Sequence, residues 1–138
     1  MSARRLVVPQ RGRVYLAPLG EKTDPENRFW LCVSNNQRNP RLDEFIAARL
    51  TTSRRPTLRT WVALGPQDKP WTGSVACDDI GPIFRDQVIK DAGALSSATM
   101  RRVERALLIV LGIDVGPAHF LTGAPSRSLV QATAPSEL

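Results

Sequence analysis

At 138 residues, 42% of them hydrophobic and 23% charged, the chain has room for one soluble globular domain with a single modest core. It contains no run of 18 apolar residues. The N-terminal MSARRLVVPQRGR has no apolar stretch long enough for a signal-peptide core, so a membrane span is excluded and a cytoplasmic protein is expected.

The formal net charge is +6, and it is unevenly spread: residues 1–60 carry 12 Lys and Arg against 5 Asp and Glu, residues 61–138 carry 7 against 8. Sixteen of the 19 basic residues are arginine, whose planar fork of donors matches phosphate better than the point charge of lysine. A partner rich in phosphate, most simply a nucleic acid, follows from that bias; the ordinary alternative is an arginine preference inherited from a GC-rich genome.

In chain order, RVYLAPL (Arg13 to Leu19) alternates as a strand should, and Gly20 to Asn27, with its Asp-Pro, is a polar loop. FWLCVSN (Phe29 to Asn35) is an almost continuous apolar run of the kind found in central strands. The Asn/Pro-rich NNQRNP turns the chain into a third strand, EFIAARLT (Glu44 to Thr51), which would also tolerate a helix. A basic loop, Thr52 to Arg59, enters a fourth strand at Thr60 to Leu64. Gly65 to Gly73 is punctuated by Gly and Pro and makes a turn, and Ser74 to Asp79 is a fifth strand. Pro82 to Lys90 reads as a short irregular or helical piece.

The clearest element follows. Ser96-Ser97 offers a hydroxyl N-cap, and Met100, Val103, Ala106, Leu107, Val110 and Leu111 recur at three- and four-residue spacing, with Arg101, Arg102, Glu104 and Arg105 on the other face. Gly112 is placed to close this helix as its C-cap. Residues 1–9 form an N-terminal extension, 10–113 the folded domain, and 114–138 a Gly/Pro/Ser-rich tail too poor in periodic apolar residues to order itself. Five short strands and one helix imply a mainly β fold, a small barrel or half-barrel. Cys32 and Cys77 lie in apolar segments without metal-ligand spacing and are expected as buried free thiols; His119, the lone histidine, falls in the tail, so zinc chemistry is not expected.

Four stretches in this order resemble the MazF/PemK toxins, including the plasmid-borne Kid-like branch. RGRVYLAPLG resembles the family's opening strand, which starts Arg-Gly followed by an acidic residue. NRFWLCVSNN resembles its second strand, which runs from Arg-Pro through apolar residues to Asn. FIAARLTTSRRPT resembles its third strand with a closing pair of hydroxyl residues. SVACDDIGPIFRDQVIKDAGALSSATMRRVERALLIVLGI resembles its tail, SVA to LGL. The resemblance runs from Gln10 to Ile113. The chain departs from the pattern at Arg13 (acidic in the family), Phe29 (proline), and Asp79 and Gly81 (glutamine and arginine). Ala76-Cys77-Asp78 stands where Kid-like sequences have Arg-Cys-Asp.

The resemblance implies an SH3-like barrel of the CcdB/MazF type and a toxin of a type II toxin–antitoxin system. It also implies a sequence-specific endoribonuclease that cuts single-stranded RNA by attack of the 2′-hydroxyl and needs no metal or other cofactor. By position, Arg28 would clamp the phosphate, Thr51 would supply the catalytic hydroxyl, and Asp78 would orient Arg28 or contact a base. Thr52 and Ser53 are neighbouring donors. Arg54, Arg55 and Arg59 make the densest basic cluster, a track for an RNA backbone. Of the tryptophans, Trp30 and Trp61 sit within strands and are expected in the core, whereas loop-borne Trp71 is the expected base-stacking surface. The resemblance further implies a homodimer and an acidic antitoxin laid across the basic groove. Two other functions fit the same scaffold: a topoisomerase poison like CcdB, and an RNA-binding module without catalysis. Arg28→Ala should abolish a nuclease but spare a topoisomerase poison.

Overall fold

A computed structural model describes residues 6–18 and 26–115. The expected loop from Gly20 lies outside the described residues as far as position 25, as do Leu19, His119, the first five residues and the tail from 116 onward.

Six strands form one antiparallel sheet: β1 Arg13–Pro18, β2 Asn27–Cys32, β3 Glu44–Thr51, β4 Trp61–Ala63, β5 Ser74–Phe84 and β6 Lys90–Ala94, in the spatial order β4-β5-β3-β2-β1-β6. One helix, α1 (Ser97–Leu111), follows. Alternate residues of the strands serve two cores. Val14, Leu31, Ala48, Leu50, Val62, Val75 and Cys77 face α1, which supplies Val103 and Ala106, with Met100, Leu107 and Val110 packed around them. On the other face Tyr15, Ala17, Trp30, Cys32, Phe45, Ala47 and Ile83 pack on one another and on Val88 and Val7. Tyr15 and Phe45 meet edge to face at 5.4 Å between centroids. The mainly β, barrel-type fold with a C-terminal helix is as expected, and Cys32 and Cys77 are buried free thiols.

Three expectations need correction. The fifth strand does not stop at Asp79: β5 continues through Pro82 to Phe84, and only Arg85–Gln87 forms a 3-10 turn. Ile83 pairs with Phe45 and closes the second core, which outweighs the proline. The sixth strand, KDAGA, was not expected, because it is an edge strand of mostly polar and small residues, without alternating apolar side chains. Leu111 belongs to the periodic stripe but is 58% exposed, since the helix has run past the sheet by its last turn.

The helix start is held from two sides. Ser96 is the N-cap and accepts from the Thr99 amide at 3.1 Å. Asp68, buried in the β4–β5 loop, accepts from the Ser96 amide at 2.8 Å and from the buried Thr99 hydroxyl. A carboxylate here also meets the positive end of the helix dipole. Gly112 closes the helix in the left-handed conformation, its amide donating to Ile109. A second buried polar knot fixes the β2–β3 connection: Asn39 accepts from the Ser34 hydroxyl and donates to the carbonyls of Ser34 (3.0 Å) and Pro9 (3.3 Å).

Two outcomes are expected. Asp68→Ala leaves a buried hydroxyl without its acceptor and removes a helix-start bond, so unfolding in urea should show a loss of about 2 kcal/mol. Burial pushes the Cys77 thiol up to about 12 and raises Cys32 as well. An unfolded thiol titrates near 8.5, so the folded state holds these protons longer. Stability is therefore full below about pH 8.5 and falls as pH rises towards 12. A thiol reagent at pH 8 should react with both cysteines only after unfolding; rapid modification of the folded protein would contradict their burial.

Candidate nucleic-acid interface

Register decides which polar side chains share a surface, because residues directly opposite on paired strands point to the same face. Trp30 of β2 lies opposite Arg49 of β3, Arg49 opposite Ala76 of β5, and Ala76 opposite Trp61 of β4. The adjacent row runs Thr51, Ser74, Ala63. Continued by two residues, the β2–β3 register sets Arg28 opposite Thr51. This is the Tyr15–Phe45 face of the sheet, at the end beyond the second core. A cavity of about 400 Å³ there is lined by Arg28, Arg49, Thr51 and Thr52, with Asn27, Phe29 and Leu50.

The sheet thus brings together Arg28, Thr51 and Thr52, three of the side chains singled out in the sequence. Arg28 is half-buried; its guanidinium contacts Glu26 at 3.0 Å and the Asn27 carbonyl at 3.1 Å. The Thr51 hydroxyl accepts from the Ser53 amide at 3.2 Å, which turns the chain out of β3. Gly73 makes this corner possible. Its φ is +85°, and a Cβ there would lie 2.1 Å from the Thr51 carbonyl oxygen.

Asp78 does not line this cavity. β5 carries three extra residues, Cys77 to Asp79, between the partners of Ala48 and Arg49, and such bulges re-aim side chains. One Asp78 oxygen accepts from the indole N–H of Trp61 at 3.0 Å, the other from the Thr60 hydroxyl at 3.1 Å. Asp78 therefore orients Trp61, not Arg28. Its neighbour Asp79 turns to β3 and meets Nε of Arg49 at 2.6 Å.

Trp61 and Trp71 are both half-buried, in different surroundings. Trp61, expected in the core, is half-buried on the polar face, with the Arg55 guanidinium 5.2 Å from its ring centroid. Together with Arg54, Arg55, Pro56, Ala63 and Ser74 it lines a largely apolar cleft of about 230 Å³. Trp71, expected as a stacking surface, instead packs edge to face on Phe29 at 6.4 Å, against the helix-side core and over Gly93. Its loop folds back on the sheet, which no local pattern announces. Arg54 donates to the Leu64 carbonyl at 3.0 Å. Ser53 and Arg59 are exposed and line neither cavity. Sequence reasoning missed Arg49 and Trp61 as surface groups; a strict two-residue alternation from Thr51 would have found Arg49.

Residues 10–111 match the family of PemK-like, MazF-like toxins of type II toxin–antitoxin systems. The endoribonuclease MazF1 of Mycobacterium bovis is 44% identical over 105 residues, 76% of this chain and 94% of that protein. A solved mycobacterial endoribonuclease in complex with its cognate antitoxin is 42% identical, with a TM-score of 0.71 over 78% of this chain and 99% of the other. The Deinococcus radiodurans MazE–MazF structure shares the fold at 17% identity, with a TM-score of 0.68 over 78% of this chain and all of the other.

The two tryptophans should separate in one experiment. Trp71→Ala removes packing between Phe29 and Gly93 and should lower stability by about 2–3 kcal/mol. Trp61→Ala should leave the melting temperature nearly unchanged and weaken binding of a single-stranded oligonucleotide by about 1–3 kcal/mol. The reverse pattern in melting curves and fluorescence titrations would restore the sequence-based assignment.

Proposed function

The chain belongs to the PemK-like, MazF-like toxin family of type II toxin–antitoxin systems, and from that premise we propose that it is a toxin endoribonuclease cutting single-stranded RNA in the cytoplasm. The observation that carries this reading is the cavity that unites Arg28 with Thr51 and Thr52 on an open, basic sheet face.

Cleavage by the 2′-hydroxyl requires no external nucleophile. The 2′-oxygen bonds to phosphorus as its proton leaves, and the bond to the 5′-oxygen breaks as that oxygen takes up a proton. The products are a 2′,3′-cyclic phosphate and a 5′-hydroxyl. Between them stands a phosphorane carrying two negative charges, and donors already aimed at that position stabilise it without reorganising. Arg28 clamps the phosphate, exchanging its contact with exposed Glu26 for the substrate. The Thr51 hydroxyl donates to a non-bridging oxygen, with Thr52 beside it. Metal is not required, because the substrate supplies its own nucleophile. Arg54 and Arg55 hold the backbone beyond the cleavage point, and Trp61 offers its ring to a base three strands away from Arg28, about 14 Å at the usual strand spacing.

An acidic antitoxin segment fits the same face, since carboxylates compete with phosphates for the same guanidinium groups. The functional unit is a homodimer, as the family resemblance implies.

The test is cleavage of a long single-stranded RNA in EDTA. The parent should cut at defined sequences and leave cyclic phosphate ends. Arg28→Ala should lose about 10²–10³-fold in kcat, and Thr51→Ala about as much. An intact RNA with a folded, dimeric parent would overturn the nuclease reading. Activity that vanishes in EDTA and returns with magnesium would overturn the metal-free mechanism.

A further inference from the structure

We propose that Arg49 is a second phosphate-binding guanidinium of the cleavage site, held in place by Asp79 as a positioning residue. The inference rests on the nuclease reading and extends it to residues outside the Arg28/Thr51 pair.

Arg49 lines the same cavity as Arg28 and Thr51. It precedes Thr51 by two residues on one strand, so both side chains leave β3 on the same face. Its Nε–H is taken by Asp79 at 2.6 Å, and among the described residues its two terminal amino groups have no hydrogen-bond partner. A guanidinium gripped at Nε presents those amino groups as a fork of the width that phosphate oxygens need. The grip exists because of the bulge: the three additional residues of β5 carry Asp79 to the β3 side while Asp78 reaches the opposite way to Trp61. Two adjacent carboxylates thus aim one cation and one aromatic ring onto a single face.

Charge balance gives Arg49 its task. A dianionic phosphorane is only half neutralised by Arg28, and a second cation in a partly enclosed cavity contributes more there than in open water. The strand register leaves room for this role, because Arg49 stands directly across from the small Ala76 side chain of β5.

The ordinary alternative is a surface ion pair that contributes little to anything. Three variants decide, each checked for folding by circular dichroism: Arg49→Ala, Arg49→Lys and Asp79→Asn. On RNA containing the mapped cut site, Arg49→Ala should lower kcat about 100-fold, and Arg49→Lys should recover only part, because a point charge lacks the fork. Asp79→Asn separates positioning from bulk charge. Removing a negative charge beside RNA tightens binding on Coulomb grounds alone, so a fall of about 10-fold in kcat without a rise in KM marks lost positioning.

Binding is measured separately with a 2′-O-methyl single-stranded oligoribonucleotide, which has no nucleophile. In that assay Arg49→Ala should reduce the salt-dependence slope by about 0.7, the value for one single-strand phosphate contact. If the parent fails to cut RNA, the nuclease reading falls, and the same slope, taken with a mixed-sequence 2′-O-methyl pool, still decides whether Arg49 holds a phosphate. Parental kcat and an unchanged slope in Arg49→Ala would overturn the proposal, and parental kcat in Asp79→Asn would remove Asp79 from it.

Discussion

Both faces of a single six-stranded sheet must leave water, and among the described residues one α-helix is available to cover them. One face is buried by α1; the other must be buried by curling until Tyr15, Trp30, Phe45 and Ile83 pack on each other. A curled sheet of short strands can close its second face over only part of its length. Beyond that core, the same alternation that delivers Phe45 and Ala47 inward delivers Arg49 and Thr51 next. The polar face therefore begins where the core ends, on rigid strands whose geometry the two cores enforce. Asp68 belongs to the same logic, because it ties the helix start to the β4–β5 loop and keeps α1 seated on the sheet.

Charge is arranged on this scaffold in partly exposed ion pairs. Arg28 rests on exposed Glu26, Arg49 on Asp79 and Arg13 on Asp91. Such pairs in water contribute little to stability, so substituting a phosphate for a surface carboxylate costs little. Asp79 and Asp78 differ from Glu26 in being built into the bulge of β5, where each orients a neighbour and need not leave when RNA binds. The departures from the family pattern become intelligible on the same terms. Phe29, in place of proline, packs on Trp71. Arg13, in place of an acid, pairs with Asp91 of β6 at 2.7 Å. Asp79, in place of glutamine, holds Arg49.

Much of this was legible in the chain. The helix with its serine cap and glycine stop, the two buried thiols, the first four strands, the start of the fifth and the hydroxyl pair at the end of β3 follow from periodicity and residue type, which act over a few neighbours. Legibility failed where a residue's neighbours are distant in sequence. The sixth strand pairs through its backbone with β1 and needs no apolar pattern of its own. Trp61 and Trp71 could not be sorted into surface and core, since a tryptophan in a strand and one in a loop each have a side to bury and a side to show.

The sequence by itself determined the fold class, the helix and its limits, the anionic partner implied by sixteen arginines, and the candidacy of Arg28 and Thr51. Only the tertiary structure decided that these two share a cavity with Arg49, that Asp78 serves Trp61 instead of Arg28, and that Asp79 grips Arg49. The reason is physical. Local pattern sets which face of its own strand a side chain occupies, but cross-strand register and a three-residue bulge set which side chains meet. Both arise from pairing between segments some thirty residues apart.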